Sequence, residues 1–387
     1  MLFRSVSDAV FSDLDNDGDP DLVLACEWGA LRVFRNDAGQ FVEVTKAYGL
    51  DGYRGGWNGV SVGDFDEDGL LDLVVSNWGR NTSYQAYRGK PLQLVFGDLA
   101  GASSVDLVEA GFVAERADYA PLRMLDLLSK SLPFLSDGFP TYRAYGETTL
   151  AAALGDRLSG AQILSMNWLE STLFLNRGSR FEAHALPTEA QWSPAFAVAV
   201  ADLDGDGHED LFLSQNHFGL SQDRPRLDAG RGLILRGDGH GGFLSMLGAE
   251  SGIAVYGEGR GAALADYDGD GRVDLAVGQN SGPSKLYHNQ AAKPGLRVRL
   301  IGTSANPEAI GAVIRWGSEG KLGPAREVHA SGGYWSQNGA IQVIALPPSD
   351  GAVLEIRWPN GKTTRSVLPV PALEVTVSTD GSVVRVR

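Results

Sequence analysis

The feature that most constrains this chain is a ten-residue pattern, Asp-x-Asp-x-Asp-Gly-x-x-Asp-Leu, present four times without a gap. It stands at residues 13–22 (DLDNDGDPDL), 64–73 (DFDEDGLLDL), 202–211 (DLDGDGHEDL) and 266–275 (DYDGDGRVDL). A fifth segment, 98–107 (DLAGASSVDL), keeps the first and ninth Asp but has Ala100 and Ala102 at positions 3 and 5. Successive starts lie 51, 34, 104 and 64 residues apart. Self-similarity at about this period is the signature of a propeller or solenoid.

The flanks repeat as well. Small or β-branched strands precede the loops, as in GVSVG (59–63), AVAVA (197–201) and GAALA (261–265), and such residues suit a crowded innermost strand. A second apolar strand follows each loop, then a third leads through a Gly-rich turn to an aromatic residue: 33–36 to Phe41, 173–176 to Phe181, 233–236 to Phe243. Strand, acidic loop, strand, strand, turn and strand make a four-stranded meander, which is one propeller blade. The expected fold class is therefore all-β, a β-propeller with six blade cores, one of them formed by 162–167 with 173–176 and lacking an acidic loop. Residues 112–158 break the rhythm. Leu122, Leu125, Leu127, Leu128 and Leu132 have partial helical spacing and 147–158 suits a short helix, so a helical insertion is expected there. From about residue 293 alternating strands (296–300, 311–316, 326–329, 353–358, 373–377) predict a small C-terminal all-β domain. The division is thus 1–292 and 293–387.

Three carboxylates at alternate positions of a tight loop point inward together, and Gly at position 6 permits the reversal. Six to eight oxygens at flexible geometry suit Ca²⁺, whereas Mg²⁺ demands a stricter octahedron. The carbonyl of position 7 can add an oxygen, and Asp at position 9 closes the shell, with bidentate coordination open to it. Strands, not helices, flank the loops, which separates them from EF-hands. The candidate ligands of about four Ca²⁺ sites are Asp13, Asp15, Asp17 and Asp21; Asp64, Asp66, Asp68 and Asp72; Asp202, Asp204, Asp206 and Asp210; and Asp266, Asp268, Asp270 and Asp274. The fifth loop, with Ala100 and Ala102, is expected to hold no metal.

These ligands also explain the charge. The formal net charge is −15, from 48 acids against 33 basic residues. Setting aside the 16 loop Asp leaves 32 acids against the 33, and four Ca²⁺ would bring −15 to −7. The acidity is local to the loops and argues against nucleic acid as a partner. No apolar run of transmembrane length occurs. Cys26 is the only cysteine, so no intrachain disulfide forms, and its place after an apolar strand suits a buried thiol. The first residues lack a signal-peptide core and enter the first repeat almost at once. Either the protein is intracellular or a leader, with or without a strand, has been lost; the second is the expectation, for a protein that is secreted, periplasmic or on the cell surface.

The repeats resemble the FG-GAP/VCBS repeats of integrin α-chain propellers. Further along, IGAV (310–313), REV (326–328), GYWSQN (333–338), RWPNG (357–361) and LPTEAQWSP (186–194) resemble the ASPIC/UnbV (cartilage acidic protein-like) group. The resemblance implies seven blades, Ca²⁺ in the hairpin loops and a role in extracellular binding or adhesion.

Other motifs weigh less. Gly237–Gly242 satisfies GxGxxG but lies between strands without a following helix. Arg236-Gly237-Asp238 falls at the same turn, and Asn81-Thr82-Ser83 is a glycosylation sequon. The six histidines lack zinc spacing, and no Gly-x-Ser-x-Gly elbow occurs. Tyr334, Trp335 and Gln337 suit either a contact surface or packing of the C-terminal domain against the repeats. Asn216, His217, Arg224 and Arg226 suit a pocket on one face. The expected function is a non-enzymatic, calcium-stabilised binding or adhesion module for a protein or glycan. The alternative is an enzyme acting on glycans or a secondary metabolite with structural calcium, which carboxylates converging beneath the insertion would favour.

Overall fold

The computed structural model describes residues 5–84, 88–219, 224–318, 320–330, 333–346, 351–369 and 371–386. Met1–Arg4, part of the start on which the expectation of a lost leader rests, lie outside the described residues, as do 220–223 of the loop before Arg224.

Every acidic repeat forms the turn of an antiparallel hairpin. Val6–Ser12 pairs with Asp21–Ala30, Val60–Gly63 with Asp72–Val75, Ala195–Ala201 with Asp210–Gln215, and Glu258–Ala265 with Asp274–Asn280. A third strand follows in each sheet: Arg32–Asp37, Thr172–Asn176, Leu233–Gly237 and Gly282–Tyr287. The first three add an outer fourth strand across the expected Gly turn, at Gln40–Glu43, Phe181–Ala185 and Phe243–Ser245. The first strands of the four sheets lie side by side in chain order. Their alternation of Ala, Gly, Ser and Val permits this, because a larger side chain would hold neighbouring backbones apart. At Gly59, for instance, a Cβ would stand 2.3 Å from the Phe196 carbonyl oxygen.

The expected blade of 162–167 with 173–176 does not form. Gln162–Met166 pairs with Leu92–Gly97, whereas Thr172–Asn176 pairs with Leu73–Val75 of the second sheet. The chain therefore leaves the second sheet after Val75 and returns at Thr172. Between them it builds a separate sheet ordered Asp118–Pro121, Asp106–Val113, Leu92–Gly97, Gln162–Met166. The six blade cores expected before residue 293 become five sheets among the described residues, and one of these is an insertion within another.

The helical part of that insertion is shorter than 112–158, because 106–113 and 118–121 are strands. Four short helices follow, Leu125–Leu128, Phe134–Gly138, Tyr142–Gly146 and Leu150–Leu154. Thr141 and Thr149 cap the last two by accepting N–H groups three residues on. Leu125, Leu128, Leu132, Leu135 and Leu154 bury themselves against Val95, Leu99 and Val108 of the inserted sheet.

Residues 296–386 form two further sheets around their own core, in which Val298, Ile314, Trp316, Leu354, Ile356, Trp358 and Val375 are buried. One sheet contains a parallel pair, Leu296–Ile301 with Glu374–Ser378, and the other centres on Val313–Ser318 beside Val353–Arg357. The fold is all-β with helices confined to short segments. No helix among the described residues is long and apolar enough to cross a membrane.

Candidate metal centres

The four loops share one hydrogen-bond scheme, and it follows from the sequence pattern. The carboxylate at position 1 accepts the N–H of the Gly at position 6: Asp13 from Gly18 (2.9 Å), Asp64 from Gly69 (3.0 Å), Asp202 from Gly207 (2.9 Å), Asp266 from Gly271 (2.8 Å). Those glycines have φ of +99°, +90°, +102° and +83°, where an L side chain is strained.

The carboxylate at position 9 joins three strands. One of its oxygens accepts the N–H of position 2, from Leu14 (3.1 Å), Phe65 (2.9 Å), Leu203 (2.7 Å) or Tyr267 (3.1 Å). The other accepts an N–H at or just beyond the end of the third strand, from Asn36 (2.8 Å), Asn176 (2.7 Å), Gly237 (2.8 Å) or Asn289 (2.8 Å). Asp21, Asp72, Asp210 and Asp274 are thus strand fasteners whatever they do for a metal. The fifth loop retains this scaffold alone: Asp98 accepts from Ser103 (3.0 Å) and Asp106 from Leu99 (3.1 Å).

Carboxylate oxygens converge within 4.8 Å of one another in Asp13–Asp15–Asp17, Asp64–Asp66–Asp72, Asp202–Asp204–Asp206 and Asp266–Asp268–Asp274. Asp68 and Asp270 stand at the rims of their loops, where Arg177 (3.6 Å) and Arg272 (2.6 Å) meet them. The fit to a hard cation is clearest in the second loop, where Asp64 Oδ1 and Asp66 Oδ1 are buried without any hydrogen-bond partner. Burial pushes the carboxyls up, Asp202 to about 6, Asp64 and Asp21 to about 7, and Asp72 and Asp210 to about 8. Grouped carboxylates in such surroundings hold protons unless a cation compensates them. Each loop brings three carboxylates within reach of one cation, and at loop 4 Asp268, Asp270 and His288 form a second such group with a nitrogen donor.

A basic group from the third strand or just after it borders three of the loops, and sequence reasoning passed over it. Arg177 meets Asp66 (2.5 Å), His288 meets Asp268 (3.0 Å), and Arg236 lies 4.0 Å from Asp204. Each adjoins the strand-end residue that binds the position-9 Asp, so the repeat alignment carried the signal. The loops also touch one another. Asn16 donates to the Gly69 carbonyl (3.2 Å), Glu67 meets His208 (2.5 Å), and Asn289 donates to the Leu203 carbonyl (2.9 Å), so the four stand in a row on one side.

At the opposite strand ends lies a cavity of about 220 Å³ lined by Glu27, Trp28, Trp78, Tyr84, Glu109 and His217, among others. Arg224 closes it, donating to Glu109 (2.8 Å) and to the Tyr84 hydroxyl (3.1 Å). Trp28 and Asn216, beside His217, hold positive φ of +53° and +87°, strain of the kind that accumulates at binding sites. Asn216 is fully buried and tied to Gly230 and Gly257, so it supports the cavity wall. Arg226 lies outside it, stacked 5.0 Å over Phe218. Tyr334 packs 5.5 Å from Phe196, whereas Trp335, stacked on Tyr334 at 4.9 Å, is 77% exposed, and Gln337 is exposed too.

This scaffold, repeated Asp-rich hairpin loops followed by a separate β core, defines the class. Residues 13–75 match the FG-GAP-like repeat family and residues 302–382 the ASPIC and UnbV family, and these matches support an FG-GAP/ASPIC–UnbV protein. Among individual proteins it is similar to cartilage acidic protein 1. It is 31% identical to the mouse protein over 193 residues, 49% of this chain and 29% of that one. Identity to the Xenopus tropicalis protein is 28% over 119 residues, 30% of this chain and 16% of that one. The chain spans less than a third of the length of the curated relatives it matches. Among solved structures, BBS1N in complex with ARL6DN, soaked with lead, aligns over 95% of this chain and 93% of that one at 12% identity. Its TM-score of 0.23 carries no argument.

Proposed function

We propose that the chain is a calcium-binding, extracytoplasmic binding or adhesion module, built as a β-propeller over 1–292 with an ASPIC/UnbV-like β domain over 293–387. The observation that carries it is the fourfold carboxylate cradle, with buried oxygens of Asp64 and Asp66 that nothing else satisfies. When bound, Ca²⁺ supplies charge compensation and cross-links each hairpin, while the position-9 Asp holds the third strand with or without it. Side-by-side first strands, each opening a meander, support the propeller, and an experimental structure without radially arranged sheets would refute it. The extracytoplasmic location rests on the millimolar calcium that keeps such sites filled, and cell fractionation tests it. The ligand, a protein segment or glycan, is placed at the cavity of Trp28, Trp78, Tyr84 and His217, away from the metal loops.

The deciding experiment is thermal unfolding in Ca²⁺ against a chelator, with metal counting. Calcium at 100 times Kd adds about 2.7 kcal/mol for each independent site. An unchanged melting temperature with no bound metal refutes the reading. One observation favours the enzymatic alternative: Glu27, whose carboxyl burial pushes up, shares the cavity with Glu109. Turnover of any compound in a glycan or metabolite panel by wild type but not by Glu27→Gln would establish it.

A further inference from the structure

Described residues between Lys293 and Gly361 lie against the side of the molecule that carries the four loops, and this cover meets the loops one by one. At loop 1, the Arg357 guanidinium donates to Asp13 Oδ2 and, at 2.7 Å, to Asn16 Oδ1, while Gly361 packs on Gly18. At loop 2, the Ala325 N–H donates to Asp64 Oδ2 (2.8 Å), and Arg315 lies so close to Gly69 that a Cβ there would meet its Nη1 at 2.4 Å. At loop 3, Arg326 pairs with Glu209 (2.7 Å) beside Asp202, and the Lys293 N–H donates to the Asp204 carbonyl (3.1 Å). At loop 4, Arg297 donates to Asp266 Oδ2 while holding Glu374 at 2.9 Å, and the Gly295 N–H donates to the Gly271 carbonyl (2.7 Å).

Two of these arginines share a sheet face by register. Val313 pairs with Arg357 and Arg315 with Glu355, so Arg315 and Arg357 project from the same side. Arg326, in REV, and Arg357, in RWPNG, also belong to the segments that mark the C-terminal family.

The two oxygens of the position-1 Asp have separate duties. Oδ2 is the outer one in loops 1, 2 and 4. It takes the Gly N–H together with a donor from the cover, namely Arg357, Ala325 N–H or Arg297. Oδ1 faces the loop. Asp13 Oδ1 takes only the Asp17 N–H, Asp266 Oδ1 only those of Gly269 and Asp270, and Asp64 Oδ1 takes none. A cover that competed with a metal would occupy the loop-facing oxygen. This one holds the outer oxygen and leaves the inner one.

We propose that the C-terminal β domain is an outer-sphere clamp for the calcium loops. Arg357 and Arg297 act as positioning residues that fix the position-1 carboxylate of loops 1 and 4 in its metal-binding orientation. Calcium uptake and C-terminal docking then reinforce each other, since whatever binds the clamped state tightens the clamp. Outer-sphere partners of metal ligands set affinity by about 10–100-fold. The inference rests on the calcium reading above.

The test is calorimetric titration of the full chain with Ca²⁺ alone, with metal counting, for wild type, Arg357→Gln and Arg297→Gln. Each variant is expected to weaken one site of four by about 10–100-fold. Arg→Lys, which keeps one donor, restores much of it. Arg143→Gln, whose exposed side chain pairs with Glu147 in the insertion, changes none. With Asp15→Asn already disabling loop 1, adding Arg357→Gln should cost no further calcium affinity. Unchanged affinity at all sites, or tighter binding, overturns the clamp while leaving the calcium sites standing. Wild type that takes up no calcium overturns both readings. A uniform loss at every site marks a merely structural role and also overturns it.

Discussion

Asp210→Asn separates the two duties assigned to the loop carboxylates. Asp210 is fully buried; its Oδ2 accepts the Leu203 N–H at 2.7 Å and its Oδ1 the Gly237 N–H at 2.8 Å. A carboxyl, charged or protonated, offers an oxygen to each of these N–H groups. An amide offers one oxygen and turns an NH₂ toward the other. Either rotamer loses one hydrogen bond and sets donor against donor in a fully buried site. A lost bond costs about 0.5–1.5 kcal/mol where the carboxyl is protonated and about 1.5–3 kcal/mol where it is charged, and a buried unsatisfied donor adds ~1–3 kcal/mol, with partial overlap between them. The expected destabilisation is about 2–5 kcal/mol, present in chelator as well as in calcium. Asp204→Asn is the companion. Asp204 is partly exposed, and its Oδ1 accepts only the Asp206 N–H, a bond that Asn can keep. It should leave the chelator melt unchanged and lower the calcium melt, by up to about 2.7 kcal/mol at 100 times Kd. Urea unfolding of both variants, with and without calcium, reads this out. Wild-type stability for Asp210→Asn in chelator would refute the fastening role, and a loss for Asp204→Asn in chelator would refute the division of labour.

Three more predictions follow from the same geometry. Asp72 and Asp210 are raised to about 8 and Asp64 to about 7, so the metal-free fold holds protons that the unfolded chain has released above pH 4. Stability in chelator should therefore fall as pH rises from about 4 to 8, while calcium flattens or reverses the slope, and a metal-free melt that climbs across this range contradicts it. Gly69→Ala adds a Cβ at φ +90° and 2.4 Å from Arg315 Nη1, whereas Gly39→Ala has φ +88° and nothing within 4 Å. The first should cost more than the second, which pays only the left-handed backbone penalty of about 1–2 kcal/mol, and equal losses in denaturant titrations would show that Arg315 yields freely. Glu209→Ala strands the buried Arg326 guanidinium and should cost about 3–5 kcal/mol, measurable as a shifted urea midpoint. A loss under 1 kcal/mol would mean that Arg326 finds water.

What the sequence made legible was local. Loop chemistry is written in ten contiguous residues, so the hairpins and the glycine reversals could be placed from spacing alone, while of the four Asp expected in each loop three converge in one group. The second duty of the position-9 Asp escaped notice because its partner N–H lies 15 to 104 residues away, as in Asn36 with Asp21 and Asn176 with Asp72. The exchange of strands between Gln162–Met166 and Thr172–Asn176 escaped for a similar reason. Both are short apolar runs, and nothing in such a run names its neighbour in a sheet. The cavity draws Trp28, Trp78, Tyr84 and His217 from four separate stretches of chain, and of its lining only His217 and Arg224 stood out in the sequence. Arg357 and Asp13 are 344 residues apart, so their contact is a property of topology, not of pattern.

The insertion has a consequence for how the molecule comes into being. Residues 76–171, 96 in all, separate the second and third strands of one sheet, and that sheet cannot be completed until residues 172–185 have been made. During synthesis the inserted sheet, whose strands all lie between Leu92 and Met166, can fold first as a unit. Asp72–Val75, fully buried in the finished protein, meanwhile presents an open apolar edge. Emergence order thus opens an aggregation-exposed interval between the making of those two strands, and a chain stopped near residue 171 would be held in it.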